Sequence, residues 1–394
     1  MLETNPGTTP GGSTEEDLET IRDGVRQLCA RYPDRYWRDL EPSDYPTEFI
    51  AALSEAGWLA ALIPAEYGGH GLGVTEASVI LEEVNASGGN AAAGHAQMYI
   101  MGTLLRHGSE EQKRRYLPAI ASGELRLQAF AVTEPNAGSD TSRIETVARP
   151  LEGGGYLING QKIWTSRALH SDLMLLLART SPRREEKPTA GLSTFLVDLR
   201  EAGERIRINP IETMINHNTT EVFIDDLEVP EEALIGVRDQ GFRQILDGMN
   251  AERILIAAEC VGDGRWFVDR ARTYASERVV FGRPIGANQG VQFPIAEAHL
   301  AVRAADLMRF EAARRFDSGL PCGEEANGAK FLASEASWKA ANAALDAHGG
   351  FGFAREYDIE RKFRETRLYR TAPVSNNLVL GFIGHHVLGM PRSY

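Results

Sequence analysis

Phe130-Ala-Val-Thr-Glu-Pro-Asn-Ala-Gly-Ser-Asp140, followed after a polar passage by Asn159-Gly-Gln-Lys-Ile-Trp-Thr-Ser166, is the stretch on which the reading of this chain turns. The first half is an apolar run that ends in a turn rich in Pro, Asn, Gly and Ser. Such a turn can offer successive backbone N–H groups and hydroxyls to an anion. The second half reads as a two-residue Asn-Gly hairpin turn leading to a Trp and two hydroxyls. Together they suit a flat, phosphate-bearing cofactor. The plainer alternative is that Trp164 is a core residue.

The chain has 394 residues, which favours two or three domains over one core. Its 43% hydrophobic and 25% charged residues are ordinary for a soluble globular protein. A formal net charge of -13 opposes nucleic acid and anionic membranes as partners, while leaving room for a small anionic ligand at local donors. Cys29, Cys260 and Cys322 are far apart and odd in number, so no disulfide framework is expected. No apolar run approaches ~18 residues, and no basic start precedes an apolar segment at the N-terminus. These features fit a cytoplasmic protein without a membrane span.

Residues 1–14 carry Pro10-Gly-Gly-Ser13 and few apolar side chains, and read as a disordered tail. Ser13 or Thr14 before Glu15-Glu-Asp17 reads as a helix N-cap. From 15 to 126 the pattern is helical, with Ile21, Val25, Leu28 and Cys29 on one face and Phe49, Leu53 and Trp58 on another. The glycines of Tyr67-Gly-Gly-His-Gly-Leu-Gly73 follow no strand and precede no Gly-Lys-Ser, so a structural turn is expected there. From 127 to 234 short β-rich runs (173–177, 194–197, 221–224) alternate with turns, the texture of a small antiparallel β-domain. Ser181 to Lys187 reads as an exposed loop. From 235 to 394 long helical segments return, as in a helix bundle.

Several chemistries are excluded. No G-x-G-x-x-G follows a strand, and the glycines of His348-Gly-Gly-Phe-Gly-Phe353 lack the third position of a dinucleotide site. There is no metal cluster; adjacent His385 and His386 point apart on a helix. No G-x-S-x-G elbow is present.

Thr133-Glu-Pro-Asn-Ala-Gly-Ser-Asp140 with Asn159-Gly-Gln-Lys-Ile-Trp164 resembles the signature of the flavin-dependent acyl-CoA dehydrogenase family. The resemblance runs from about Leu18 to Tyr394 and takes in Glu66-Tyr-Gly-Gly-His-Gly-Leu-Gly73 and Gly108-Ser-Glu-Glu-Gln-Lys-Arg-Arg-Tyr-Leu-Pro118, with Ser109 as an N-cap. It implies a mainly α fold: an N-terminal helical domain, a small central antiparallel β-barrel and a C-terminal four-helix bundle. It also implies FAD, with Phe130, Val132, Thr133, Gly138 and Ser139 along the cofactor and Trp164, Thr165 and Ser166 over its ring. Ser139 also falls where the thioester ligand passes. Arg278, Phe281 and Gln289, with Asp346, Gly349 and Gly350, match elements that reach the FAD of a neighbouring subunit, which implies a homotetramer or at least a dimer. Asp346 stands where Gln is usual; the local alternative for Arg278 is a surface ion pair. The implied partners are an acyl-CoA, or an acyl chain on a carrier protein, and an electron acceptor such as electron-transfer flavoprotein.

The implied reaction removes a proton beside a thioester carbonyl and a hydride from the next carbon, so it needs a base in a dry pocket. Most of the family uses a Glu in a loop that here reads Leu368-Tyr-Arg-Thr-Ala-Pro-Val-Ser-Asn-Asn377, and Arg370 falls at that position. Arg cannot act as the base. Its backbone N–H still matches a donor to the thioester oxygen, while Val374, Ser375 and Asn377 overlap flavin-touching positions. A branch resembling isovaleryl-CoA dehydrogenase carries its Glu on a bundle helix. Met249-Asn-Ala-Glu-Arg-Ile-Leu255 matches that context, which makes Glu252 the candidate base; the alternative is a solvated helix Glu. Asn250 and Arg253 match residues along the pantetheine arm. Asn90-Ala-Ala-Ala-Gly-His95 with Gln97, Met98 and Tyr99 matches the floor of the acyl pocket, with Tyr99 limiting its depth, or else is ordinary helix packing. The expected activity is FAD-dependent dehydrogenation of an acyl thioester to the 2,3-trans enoyl thioester. A related flavin oxidase or monooxygenase, and a non-catalytic flavoprotein subunit, are the other readings.

Overall fold

The computed structural model describes residues 13–392, so the tail expected over 1–14 falls almost wholly outside the described residues. Structure begins at the expected cap. The Thr14 hydroxyl accepts from Asp17 N, and the Asp17 carboxylate accepts from Thr14 N. That box opens α1 (Glu15–Cys29), followed by α2 (Asp34–Asp39), α3 (Thr47–Glu55), α4 (Val74–Ala86), α5 (Ala92–His107) and α6 (Glu110–Ala121). Ser109 caps α6 in the same reciprocal way with Gln112. The glycine loop before α4 is a folded turn. Gly71 N donates to Ile63 O, and a Cβ on Gly69 would lie 2.0 Å from that oxygen. Only glycine fits so close an approach.

Eight strands form one sheet: β1 (Leu127–Ala131), β2 (Val147–Pro150), β3 (Tyr156–Ser166), β4 (Leu173–Arg179), β5 (Leu192–Asp198), β6 (Ile206–Pro210), β7 (Thr219–Val229) and β8 (Leu234–Ile235). The spatial order is β6-β7-β3-β2-β4-β5-β8, with β1 also on β4. The sheet is mixed where an antiparallel one was expected, because β1 and β2 both run parallel to β4. A parallel pair needs a long crossover, and the β2–β3 hairpin lies within the one joining β1 to β4. Strand β4 is buried along its whole length. Its Met174 and Leu176 join a core with Phe195, Val222 and Ile224. Its Leu173 and Leu175 meet Met101, Leu104 and Leu117 of α5 and α6. A strand covered on both faces reads as a continuous apolar run, as Leu173 to Leu177 did.

Asn159-Gly160 is not a hairpin turn. It lies inside β3, where the register with β7 shifts between Ile158 and Gly160. The Asn159 amide exchanges hydrogen bonds with Asp226, donating to its carboxylate and accepting from its N–H, both at 2.9 Å. A Cβ on Gly160 would lie 2.3 Å from Thr146 Oγ1. The glycine marks a bulge with close strand approach, which sequence cannot tell from a turn. The hairpin that enters β3 closes at Leu151–Gly155 instead.

The last part is helical: α7 (Gly241–Glu277), a small hairpin of β9 (Val279–Val280) and β10 (Arg283–Pro284), α8 (Gln289–Asp317), α9 (Gly323–His348), α10 (Ile359–Arg367) and α11 (Asn376–Phe382). Three long helices pack on one another, and the short α10 lies on α9. The core is shared with the N-terminal helices: Ile80 and Val84 of α4 join Leu255 and Val261 of α7 and Ala329 of α9. On α10, Lys362 Nζ donates to Gly89 O and sits 2.5 Å from Asp263, while Arg361 donates to Gly88 O. These buried cations anchor the turn from which α5 starts.

Helices α4 and α7 meet at Gly262, where a Cβ would lie 2.2 Å from the backbone oxygen of Glu82. Gly262→Ala is therefore expected to wedge the two helices apart and cost about 1–3 kcal/mol. A clearly lowered thermal unfolding midpoint is the expected reading; an unchanged midpoint would contradict this packing.

Candidate active site between the sheet and the bundle

The turn after β1 is built around one buried ion pair. Glu134 accepts from Glu145 N at 2.7 Å, Thr146 N at 2.9 Å and Lys162 Nζ at 2.8 Å. Lys162 also donates to Val132 O. Burial pushes the Glu134 carboxyl up, but the Lys162 ammonium and the N–H donors outweigh it and hold it below its ordinary value. Burial pulls the Lys162 ammonium down to about 8 against the attraction of Glu134. Sequence reading missed both residues as a pair, since nothing local shows that β3 passes beneath the turn. Ile163 N donates to Thr133 O at 2.9 Å, so the two halves of the opening stretch lie side by side.

The pairing places Phe130, Val132 and Thr133, all half-buried, beside Trp164 and Ser166. Trp164 sits in the left-handed region at φ 60 and is 57% exposed, and the β3–β7 register shifts between Lys162 and Thr165. A bulky residue held at positive φ with its ring uncovered marks a site whose occupant supplies the missing contacts. Thr165 is fully buried and its Oγ1 has no hydrogen-bond partner. Gly138 and Ser139 are exposed, and nothing would lie within 4 Å of a Cβ on Gly138. An uncovered indole, a half-buried hydroxyl and an open glycine-serine turn fit a flat ring with a phosphate tail.

Glu252 lies near the start of α7 and is 2% exposed. Its Oε2 has no hydrogen-bond partner. Burial raises its carboxyl to about 7, against the opposing pull of His95, Arg253 and Lys330. Tyr99 of α5 adjoins it; burial, and then the Glu252 charge, push the phenol well up. The Tyr99 ring meets Phe130 edge-on at 5.6 Å, which links Glu252 to the strand beside the cofactor turn. Beside Glu252, Arg253 donates to Asn250 Oδ1 at 3.2 Å and its Nε is unpartnered. Lys330, which sequence reading did not single out, is fully buried and donates to Asn376 Oδ1 at 2.6 Å. Burial pulls it down to about 8.

The Arg370 guanidinium is tied to α9 instead, donating to Glu335 at 2.7 Å. Val374 is half-buried, Ser375 caps α11 through Leu378 N, and Asn377 is exposed. Arg278, Phe281, Gln289, Asp346, Gly349 and Gly350 are all exposed and gather at the other end of the bundle, where the Arg278 guanidinium lies 6.0 Å from the Phe351 ring centre. Along α7, Arg278 is about 39 Å from Glu252 at the helical rise per residue. Within one chain Arg278 does not meet Glu252. Among the described residues no cluster of His, Cys, Asp and Glu suits a metal ion, and no helix is long and apolar enough to cross a membrane.

Three family models match in sequence: the N-terminal domain of acyl-CoA dehydrogenase over residues 15–124, the middle domain over 129–227 and the C-terminal domain over 239–388. The chain is 36% identical to acyl-CoA dehydrogenase FadE12 of Mycobacterium tuberculosis, covering 96% of this chain and 98% of that one. A solved glutaryl-coenzyme A dehydrogenase in complex with glutaryl-CoA matches with TM-score 0.89 at 30% identity over 98% of each chain. A chain solved in work on the electron transferring flavoprotein of Acidaminococcus fermentans matches with TM-score 0.88 at 27% identity, over 96% of this chain and 100% of that one. The protein belongs to the acyl-CoA dehydrogenase family. It is an FAD-dependent oxidoreductase that acts on the CH–CH group of an acyl-CoA.

Replacing Glu134 with Ala leaves the Lys162 ammonium buried and unpaired, a loss of about 3–5 kcal/mol in such settings. The Glu134→Ala protein is expected to be purified with less FAD and a lower melting temperature. Flavin absorbance per protein after gel filtration measures this, and full flavin content would contradict the role given to the ion pair.

Proposed function

We propose that Glu252 is the base that takes the α-proton of the acyl-CoA as the 2,3-trans enoyl thioester forms. The carrying observation is its buried carboxylate with one oxygen unbonded and its pKa raised to about 7. A carboxylate freed of solvent is a stronger base than one in water, and a pKa near neutrality suits proton transfer at working pH. Bound FAD supplies the hydride acceptor. Trp164 and Ser166 hold the ring, Thr133, Gly138 and Ser139 receive the rest of the cofactor, and Tyr99 and Phe130 keep water from the reacting carbons. Arg253 and Asn250 take the pantetheine arm, and the unpartnered Arg253 Nε is free to donate to it. Arg370 contributes its backbone amide to the thioester oxygen, since its side chain is engaged with Glu335. A non-catalytic subunit would have no use for a dry, unpaired carboxylate here.

The assembly is proposed to be a homotetramer. The roughly 39 Å along α7 between Arg278 and Glu252 on one chain supports this, because a second copy would bring Arg278, Phe281, Gln289, Asp346, Gly349 and Gly350 to the first copy's flavin. Phe281 is fully exposed at φ 53, and Val279 beside it is 56% exposed. An apolar hairpin in that state suits a subunit contact. An electron-transfer flavoprotein is the proposed acceptor, supported by the relative from Acidaminococcus fermentans. A cytoplasmic location is proposed on the three free, buried cysteines.

Anaerobic mixing with a panel of acyl-CoA thioesters tests the base. Flavin bleaching is expected in the wild type and a loss of roughly a thousandfold or more in its rate in Glu252→Gln, as for removal of a group acting in proton transfer. Equal bleaching in both would eliminate Glu252. The pH dependence has a definite sign. Only the ionised carboxylate accepts a proton, so kcat/KM should rise about tenfold per unit below about 7 and level off above it. A profile flat from acid to neutral pH would contradict the raised pKa.

A further inference from the structure

Beyond Glu252 the interior site ends in a polar cluster that dehydrogenation of a plain alkyl chain does not need. Glu259 is two turns further along α7, on the same face and about 10 Å away. On α5 the rings of Tyr99 and His95, one turn apart, lie with centres 5.2 Å from each other. Tyr99 adjoins Glu252, and His95 Nδ1 lies 2.5 Å from Glu259 Oε1. The cluster is firmly built. Tyr369 Oη donates to Glu259 Oε2, while Asn85 Nδ2 donates both to that phenol oxygen and to Glu259 O, each at 3.2 Å. Glu259 Oε1 is thus taken by the imidazole, yet His95 Nε2 has no hydrogen-bond partner, although His95 is only 5% exposed. A buried polar atom left unpaired is costly, and an alkyl terminus would leave the His95 nitrogen in that state.

We infer that His95, held in place by Glu259, forms a hydrogen-bonding subsite for the distal end of the acyl group, and that the acyl chain it selects carries a hydroxyl. This rests on the reading of Glu252 as the point where the reacting carbons sit. A hydroxyl both donates and accepts, so it satisfies the free imidazole nitrogen in either protonation state. A carboxylate end fits less well. It would bring a second anion toward the buried Glu259 carboxylate.

The test compares short and medium acyl-CoA thioesters with their ω-hydroxy and ω-carboxy counterparts of equal length. Turnover is read as kcat/KM. Binding of the matching 2-enoyl-CoA products is read as a shift in flavin absorbance, which requires no base; if Glu252 proves not to be the base, the binding series still judges the subsite. Wild-type enzyme is expected to favour the ω-hydroxy member by about tenfold or more at one chain length. His95→Leu should bring that ratio near one, and His95→Gln, which keeps a hydrogen-bonding side chain, should retain part of it even if the Leu variant folds poorly. Wild-type preference for the plain or ω-carboxy series at every length, or an unchanged ratio in His95→Leu, would overturn the inference.

Discussion

A carboxylate with an unbonded oxygen in a dry interior is unfavourable, and the surroundings of Glu252 exist to hold one there. Four elements close around it: α7 carries it, α5 covers it with Tyr99, β1 adds Phe130 against that ring, and α9 brings the buried Lys330 near. Burial alone would drive the proton on permanently. The neighbouring His95, Arg253 and Lys330 pull the other way and leave the group at about 7. The balance is set by several side chains on different segments, none bonded directly to Oε2.

The same helix explains why the rest of the bundle is so heavily charged inside. Helix α7 must be held rigidly against α5, or Tyr99 and Glu252 lose their registration. Asp263, one turn beyond Glu259, pairs with Lys362 of α10, and α10 in turn ties down Gly88 and Gly89 before α5. One buried ion pair therefore connects both walls of the site. Paired buried charges of this kind add little net stability but penalise any misplacement strongly. The Glu134–Lys162 pair plays the matching part in the sheet, where it clamps the turn after β1 to β3.

Much of the architecture was legible because local chemistry and tertiary need agreed. Thr14 and Ser109 cap helices as their neighbours suggest, the run Leu173 to Leu177 is a strand buried on both faces, and the glycines after Tyr67 form a turn. The reading failed at Asn159-Gly160, because a glycine required for close approach to Thr146 looks the same in sequence as one required by a hairpin. It also failed on sheet direction, since strand polarity depends on long-range pairing that no local pattern encodes.

For the site, the sequence by itself determined the family signature, the loss of a carboxylate at Arg370 and the presence of another at Glu252. It could not decide whether Glu252 was solvated, because burial is a property of what lies across from a helix face. The fold settled that by bringing α5 and β1 against it. Tertiary structure alone brought His95 to Glu259, Lys162 to Glu134 and Lys330 to Asn376, pairs separated by up to 164 positions in the chain. Charges so far apart in sequence share an environment only once the chain has closed, and the energy of a buried charge depends on that environment rather than on the residue carrying it.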